Sequence, residues 1–479
     1  MLALAACSTG HPTAPSGGGG TTGGGTAPLV TVNTATTLAT ISPTVLGLNM
    51  ATWYDITQPG IATAIHSAGF EAVRWPGGSS SDLYHWHTNT DCAGGYASPN
   101  STFDHFMQDV AQPADLDVAI TLDYGTDTTC AGPGNPAEAA AWVAYANTTK
   151  SYGVKWWTVG NEVYGNWETD LHAQPNDSVT YAAAVKSGYY PAIKAKDASA
   201  MVGVVVNPPS AWDHTVLGTA PYDFVEMHYY PEAPGAESDT LLIRDSPLLL
   251  RSALVSLKSE LSAAGHPSTP IYVGEMGSVY TNPGKQSMSI TQALFASEVI
   301  GELLDAGVAR ATWWLGYGGC STGGGANYSS ALYGFQNYGG YDLYADGGSG
   351  CGGTAANTPF PTVRAYQVAA VLAHAGERML PVTVSSTLPL VRAYAASQGS
   401  GYAVMLINLD ESNSASVPVG FSTLARGSAV TTVTYGKAQY DESQSGQWVG
   451  PVMASSGAWQ KSAVVTLPPW SITVAVVTP

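Results

Sequence analysis

Lys155-Trp156-Trp157-Thr158-Val159-Gly160-Asn161-Glu162 is a short apolar run that stops abruptly at an amide and a carboxylate. Its length and its aromatic and β-branched residues read as a buried strand, and the polar stop marks where that strand leaves the core. The pattern recurs on both sides of it. Runs of this kind occupy residues 45–49, 72–75, 117–123, 155–161, 201–207, 224–229, 271–275 and 309–315. Ala-rich helical stretches such as 136–152, 178–196, 246–264 and 289–306 fall between them. Apolar strands alternating with helices make parallel βα units, and eight in succession predict an α/β fold, a (β/α)8 TIM barrel over residues 42–380. An open doubly wound sheet would need a Gly-rich nucleotide turn after its first strand, and Gly47-Leu48-Asn49-Met50 is not one.

Beyond about residue 385 the helices disappear. Alternating strands at 390–394, 402–408, 429–435 and 471–477 predict an antiparallel β-sandwich over 381–479, and the strand-like segment 29–41 is expected to join it. Residues 1–28 are set apart from the fold. Leu4-Ala5-Ala6-Cys7 followed by a Gly/Thr/Ser/Pro stretch resembles the end of a bacterial lipoprotein signal. That resemblance implies a lipidated Cys7, a flexible tether, and an extracytoplasmic protein that is secreted, periplasmic or at the cell surface. The other cysteines, Cys92, Cys130, Cys320 and Cys351, are even in number and lack zinc-site spacing, so disulfides are expected. Of three possible connectivities, Cys92–Cys130 with Cys320–Cys351 is the pairing expected.

Composition narrows the partners. Of 479 residues only 11% are charged, with 35 acidic against 17 basic side chains and a net charge of −18. With no Lys/Arg cluster, that balance excludes a nucleic-acid footprint. No run of about 18 apolar residues marks a transmembrane span, so a lipid anchor at Cys7 would be the one link to a membrane. An uncharged surface rich in Gly (54), Tyr (26) and Trp (13) suits a neutral substrate. Neither a cofactor nor a metal is implied, and the oligomeric state is not legible.

In such barrels chemistry sits where the strands end at their C-terminal side. Two of the eight runs end in a glutamate: the fourth at Asn161-Glu162 and the seventh in Ile271-Tyr272-Val273-Gly274-Glu275. Glycosidic cleavage needs one acid to protonate the leaving oxygen and a second carboxylate to attack the anomeric carbon or activate water. A salt-bridged structural glutamate is the bland alternative for either one alone.

Asn-Glu after strand four together with Glu after strand seven resembles the clan A retaining glycoside hydrolases. The resemblance implies a polysaccharide or oligosaccharide substrate, Glu162 as general acid/base, Glu275 as nucleophile and Asn161 as partner of the sugar 2-hydroxyl. Glu162 is then expected to rest protonated and Glu275 ionised. Within the clan, Arg74-Trp75-Pro76-Gly77-Gly78-Ser79 with Tyr84-His85-Trp86, then His228-Tyr229-Tyr230, and Leu467-Pro468-Pro469-Trp470-Ser471 look like elements of the family 51 α-L-arabinofuranosidases. Ser79 stands where that family carries Asn, and Asn49-Met50 where its first strand supplies a Glu-His pair. Endo-β-glycanases, β-xylosidases and β-glucuronidases of the same clan therefore stay open as activities, as does a non-catalytic carbohydrate-binding lipoprotein.

Several residues are expected to support the site. Arg74 would hold Glu275 ionised through a charge-assisted hydrogen bond. His228 would bond the nucleophile or a sugar hydroxyl, and Tyr230 is a similar candidate. Asp123 would bind a sugar hydroxyl or cap its own loop. Adjacent strand residues face opposite sides, so one of Trp313 and Trp314 faces the cleft, and Trp314 is the choice. Trp53, Trp75 and Trp86 default to the core. The Gly/Tyr-rich stretch 316–353 is expected to form an ordered wall of the cleft.

Overall fold

The eight parallel strands are β1 (Gly47–Asn49), β2 (Ala72–Trp75), β3 (Asp117–Leu122), β4 (Trp156–Val159), β5 (Met201–Val205), β6 (Phe224–Tyr229), β7 (Ile271–Met276) and β8 (Arg310–Ala311). They pair in sequence order. Parallel bridges from Thr44 to Arg310 and from Leu48 to Trp313 close the ring, with Asn49 N donating to Trp313 O at 2.8 Å. The chain is described here from a computed structural model, over residues 27–92 and 94–479. The Cys7 lipidation site and the tether lie outside the described residues.

Local chemistry explains where the helices start. Asn135 caps Pro136–Ala144 by accepting from Ala137 N, Asp177 caps Ser178–Ala184 through Thr180 N, and Ser289 caps Ile290–Ala306. The last of these ends at Gly307 in a left-handed conformation, φ 67°. Every residue from Ile290 to Leu304 is buried, because this helix lies between barrel and sandwich and has no solvent face. Two of its three acidic side chains are matched there: Glu302 by Arg251 at 2.6 Å, and Glu298 by Arg392 of the sandwich at 3.3 Å.

The sandwich has a four-stranded and a seven-stranded sheet, with Val30, Val32, Leu380, Val404, Val419 and Val465 in the core between them. Val30–Val32 pairs antiparallel with Val382–Val384 and parallel with Ala415–Phe421, so the N-terminal segment is built into this unit. Arg378–Leu380 already pairs with Val391–Gln398, which puts the start of the sandwich near residue 378 rather than 381. Strands Ala415–Phe421, Val452–Ser456 and Ala463–Leu467 escaped the sequence reading. Cys92–Cys130 and Cys320–Cys351 are both bonded. The first ties the loop after β2 to the loop after β3, and the second closes the stretch 316–353, which is ordered. Among the described residues no helix is long and apolar enough to cross a membrane.

Candidate active site

At the barrel floor Ala119, Phe224 and Tyr272 are buried together, with Trp156 and Met201 packed against them and the buried Arg310 guanidinium, paired with Asp117, over the Trp156 and Tyr272 rings. Above it lies an ionic cluster. Arg74 of β2, with no exposed surface, places Nε 2.9 Å from Glu226 Oε1, Nη1 2.8 Å from Glu275 Oε1, and Nη2 2.7 Å from Asn161 Oδ1. One guanidinium thus ties together β2, β6, β7 and the end of β4. A planar fork of five donors spread over three nitrogens is what permits this; a lysine ammonium carries its donors on one nitrogen and would not span these separated acceptors. Gly274 makes room for it: a Cβ there would fall 1.9 Å from Glu226 Oε1.

Glu275 accepts on both oxygens, from Arg74 Nη1 and from Tyr230 Oη at 2.8 Å. Burial, followed by the charge of Glu275, keeps the Tyr230 phenol far above its ordinary pKa, so it remains a donor. Glu162 follows Gly160 in a turn where both residues have positive φ, 75° and 41°. For glutamate this is a sparsely populated region, held here because Asp82 Oδ2 accepts from Asn161 N at 2.8 Å and fixes the turn. Glu162 Oε1 accepts from His228 Nδ1 at 2.7 Å, and its Oε2 from Trp167 Nε1 at 2.8 Å.

His228 departs from the expected partnership. It stands opposite Glu275 in the β6–β7 register, yet its Nδ1 is 3.8 Å from Glu275 and bonds Glu162 instead, while Nε2 faces Glu226 at 3.3 Å. Burial alone would lower its pKa. The surrounding carboxylates, Glu275 first and then Glu162 and Glu226, push it up to about 10. Glu162 shows the reciprocal effect: burial raises its pKa, but the His228 bond and charge, Trp167 and Arg74 outweigh that and hold it low. In the free protein Glu162 is therefore an anion paired with an imidazolium, which corrects the expectation that it rests protonated.

Other expected sugar contacts are spent inside the protein. Asn49 is fully buried: Nδ2 donates to Gly274 O at 2.9 Å and Trp313 O at 3.2 Å, and Oδ1 accepts from Arg74. Ser79 Oγ donates to Glu168 Oε1 at 2.8 Å, and Asn161 Nδ2 donates to the same oxygen at 2.9 Å. That engages both ends of the Asn161 amide and leaves one Nδ2 hydrogen for a ligand. Asp123 caps its own loop, accepting from Thr126 N and Thr126 Oγ1, both at 2.9 Å, the second of its two expected roles. Trp314 packs with Ala51, Leu315, Trp53, Tyr230 and Tyr341 on the active face, whereas Trp313 belongs to the main core beside Phe295 and Tyr366. Trp75 is in the core, stacked on Phe106, and Trp86 stacks on Trp142 on the flank.

Three site residues escaped the sequence reading. Glu226 has a usable signal, since Glu226-Met227-His228 places two ionisable residues on one strand face at a period of two. Trp167 and Glu168 lie in an irregular loop and carry no periodic signal. Glu168 is buried, and burial followed by the Asp82 charge pushes its pKa up to about 8.

Glu162, His228 and Glu275 each offer one ligand atom within 4.8 Å of the others, a spacing a metal could bridge. His228 Nδ1 nevertheless carries the proton it donates to Glu162, so it has no lone pair for a cation. In the second such group, His85, Cys92 and Cys130, both sulfurs are consumed by the disulfide. What the central arrangement can do is use two carboxylates on one small volume, one braced as an acceptor and one linked to a proton carrier.

No family model matches the sequence, and no curated protein matches it. Solved structures do match the fold. An α-L-arabinofuranosidase from Thermotoga maritima, solved as an arabinose complex, is 17% identical with a TM-score of 0.73, over 94% of this chain and 100% of that one. CelM2, a bifunctional glucanase-xylanase from a metagenome library, is 16% identical with a TM-score of 0.66, over 94% and 99%. A family 44 xyloglucanase from Paenibacillus polymyxa is 14% identical with a TM-score of 0.63, over 94% and 99%. The likeness is one of fold, a TIM barrel with an attached β-sandwich.

Proposed function

We propose that this protein is a retaining glycoside hydrolase of clan A that works by double displacement, with Glu275 as nucleophile and Glu162 as general acid/base. The observation that carries the reading is the separation of the two carboxylates, whose nearest oxygens lie within 4.8 Å. Retaining enzymes hold their carboxyl groups about 5–5.5 Å apart, whereas inverting enzymes need about 6.5–9.5 Å to admit a water between them.

The geometry gives each group its task. Glu275 Oε1 is anchored by Arg74 and Oε2 by Tyr230, which aims the carboxylate. It attacks the anomeric carbon while Glu162 protonates the departing oxygen. Glu162 then takes a proton from the water that releases the sugar. Because Glu162 begins as an anion against His228, substrate must shift the balance. A sugar covering the cleft removes water from Glu162 and raises its pKa, so that the carboxylate takes up from solvent the proton it later delivers.

Arabinofuranosides are the first substrates to test, supported by the Arg74–Ser79 and His228–Tyr230 motifs and by the similar fold of known arabinofuranosidases. Endo-β-glycanase action is the second reading. It is favoured by Asn49 and Ser79 being tied up internally, and by glucanase-xylanase and xyloglucanase folds among the similar structures. Two disulfides support an extracytoplasmic location, and the lipid anchor at Cys7 remains part of the proposal.

The test is sugar release from aryl glycosides, arabinan, arabinoxylan, xyloglucan and β-glucan, with Glu275→Ala alongside and the first-formed anomer read by NMR. Release with retained configuration that vanishes in the variant is the expected result. An inverted product would refute double displacement, and binding without release would favour a lectin-like protein.

A further inference from the structure

We propose that the barrel mouth is a track for a neutral polysaccharide chain, which lies across both carboxylates with its sugar rings against aromatic side chains of the surrounding loops. This rests on the reading that the site cleaves glycosidic bonds, and it specifies the substrate as polymer rather than small glycoside. The first observation is where exposed aromatic rings occur. Among the described residues only Tyr96, Trp167, Tyr280 and Tyr328 are strongly exposed aromatics, at 62, 62, 56 and 69%. All four sit on loops that follow the C-terminal ends of barrel strands: β2, β4, β7 and β8. The outer faces of the helices, the opposite end of the barrel and the sandwich expose none to this degree.

The second observation is continuity with the carboxylates. On one side, Trp167 Nε1 donates to Glu162 Oε2 at 2.8 Å, so that ring flanks the leaving-group side of the site. On the other, Tyr230 donates to Glu275 and packs with Trp314, Trp53 and Tyr341. Trp314 and Tyr341 are 6.3 Å apart between ring centroids, and Tyr341 Oη donates to Tyr280 O at 2.9 Å. An aromatic ledge thus runs from Glu275 outward to the rim. In an eight-membered ring β4 and β8 are diametrically opposed, so a chain reaching from Trp167 toward the Tyr328 loop crosses the two glutamates.

The rim is also held in place. Cys320–Cys351 closes the loop that carries Tyr328, and Cys92–Cys130 anchors the loop that carries Tyr96. Large rings kept in water on stapled loops forgo burial, and the ligand that suits them has apolar C–H faces and hydroxylated edges. The net charge of −18 repels polyanions and selects a neutral chain.

The experiment compares the wild type with Tyr280→Ala, Tyr328→Ala and the double variant. kcat/KM is measured on p-nitrophenyl α-L-arabinofuranoside and on soluble arabinoxylan, xyloglucan and mixed-linkage β-glucan. Retention of Glu275→Gln, with and without the tyrosine changes, is measured in native gels containing each polymer. The expected result is a fall in the polymer-to-aryl-glycoside ratio of roughly 3- to 10-fold per ring, with gel retention weakened in parallel. An unchanged ratio with unchanged retention would overturn the track while leaving the hydrolase reading intact. Absence of turnover on every substrate, with retention that still depends on the tyrosines, would overturn the hydrolase reading and keep the track. Thermal midpoints of the variants separate both outcomes from misfolding.

Discussion

Replacing His228 with Gln isolates the pairing at the centre of the site. In the wild type, Nδ1 lies 2.7 Å from Glu162 Oε1, and the imidazole, its pKa pushed up to about 10 by the surrounding carboxylates, is charged at neutral pH. His228→Gln keeps a donor within reach but removes the charge. The bond to the carboxylate stays charge-assisted, but the Coulomb attraction of the imidazolium is lost, which at about 4 Å amounts to about 1 kcal/mol even in bulk water, so Glu162 loses at least about 1 kcal/mol of preference for its anionic form. At about 1.36 kcal/mol per unit, its pKa rises by about one unit. The protonated acid then survives to higher pH, and the alkaline limb of kcat/KM moves up by about one pH unit. The assay is a pH profile on two aryl glycosides differing in leaving-group ability, since the poorer leaving group reports Glu162 more strongly. An alkaline limb that stays in place or moves down would refute the assignment of Glu162 as the acid restrained by His228.

Glu162→Ala should lower turnover of substrates with poor leaving groups by about 10²–10⁴-fold, with a smaller loss on activated aryl glycosides, as steady-state kinetics would reveal. Equal losses on both would point to a structural role. The double change Cys320→Ser with Cys351→Ser opens a loop of 31 residues and should cost about 2–4 kcal/mol by denaturant unfolding, provided the loop unfolds with the barrel. Burial pushes the carboxyls of Glu71, Glu232 and Asp305 up to about 7. A carboxyl whose folded pKa is raised contributes stability below its unfolded value and loses that contribution as pH rises through the folded one. The thermal midpoint should therefore fall between about pH 5 and about pH 8, and a midpoint that rises over that range would contradict the assignment.

The barrel was legible because its signal is local and repeated. Each strand announces itself by a run of apolar residues and each end by a polar residue such as Asn49, Asp123, Asn161 or Glu275, so closure of eight units follows from counting. The sandwich was read less completely. Ala415–Phe421 carries Pro418 and Gly420 and buries five residues in a row instead of alternating, and Val452–Ser456 is an exposed edge strand with no buried face to create alternation. The helix Ile290–Ala306 shows the same limit from the opposite side, because its burial on every face depends on a sheet that begins about seventy residues later.

At the site, the sequence by itself determined which elements end in carboxylates and which carry Arg74, His228 and Tyr230, since strand ends and motifs are properties of neighbours in the chain. Only the tertiary structure decided how those groups share protons. His228 pairs with Glu162 rather than Glu275, and Glu226, two residues away on the same strand, balances both His228 and Arg74. Asn49 faces buried partners instead of the cleft, and the exposed Ser79 spends its hydroxyl proton on Glu168. The physical reason is distance: a pKa or a hydrogen bond depends on separations of a few ångströms between residues far apart in the chain, 201 positions for Arg74 and Glu275 and 264 for Asn49 and Trp313. Strand periodicity fixes the face on which a side chain lies, and packing alone fixes which of several partners on that face it meets.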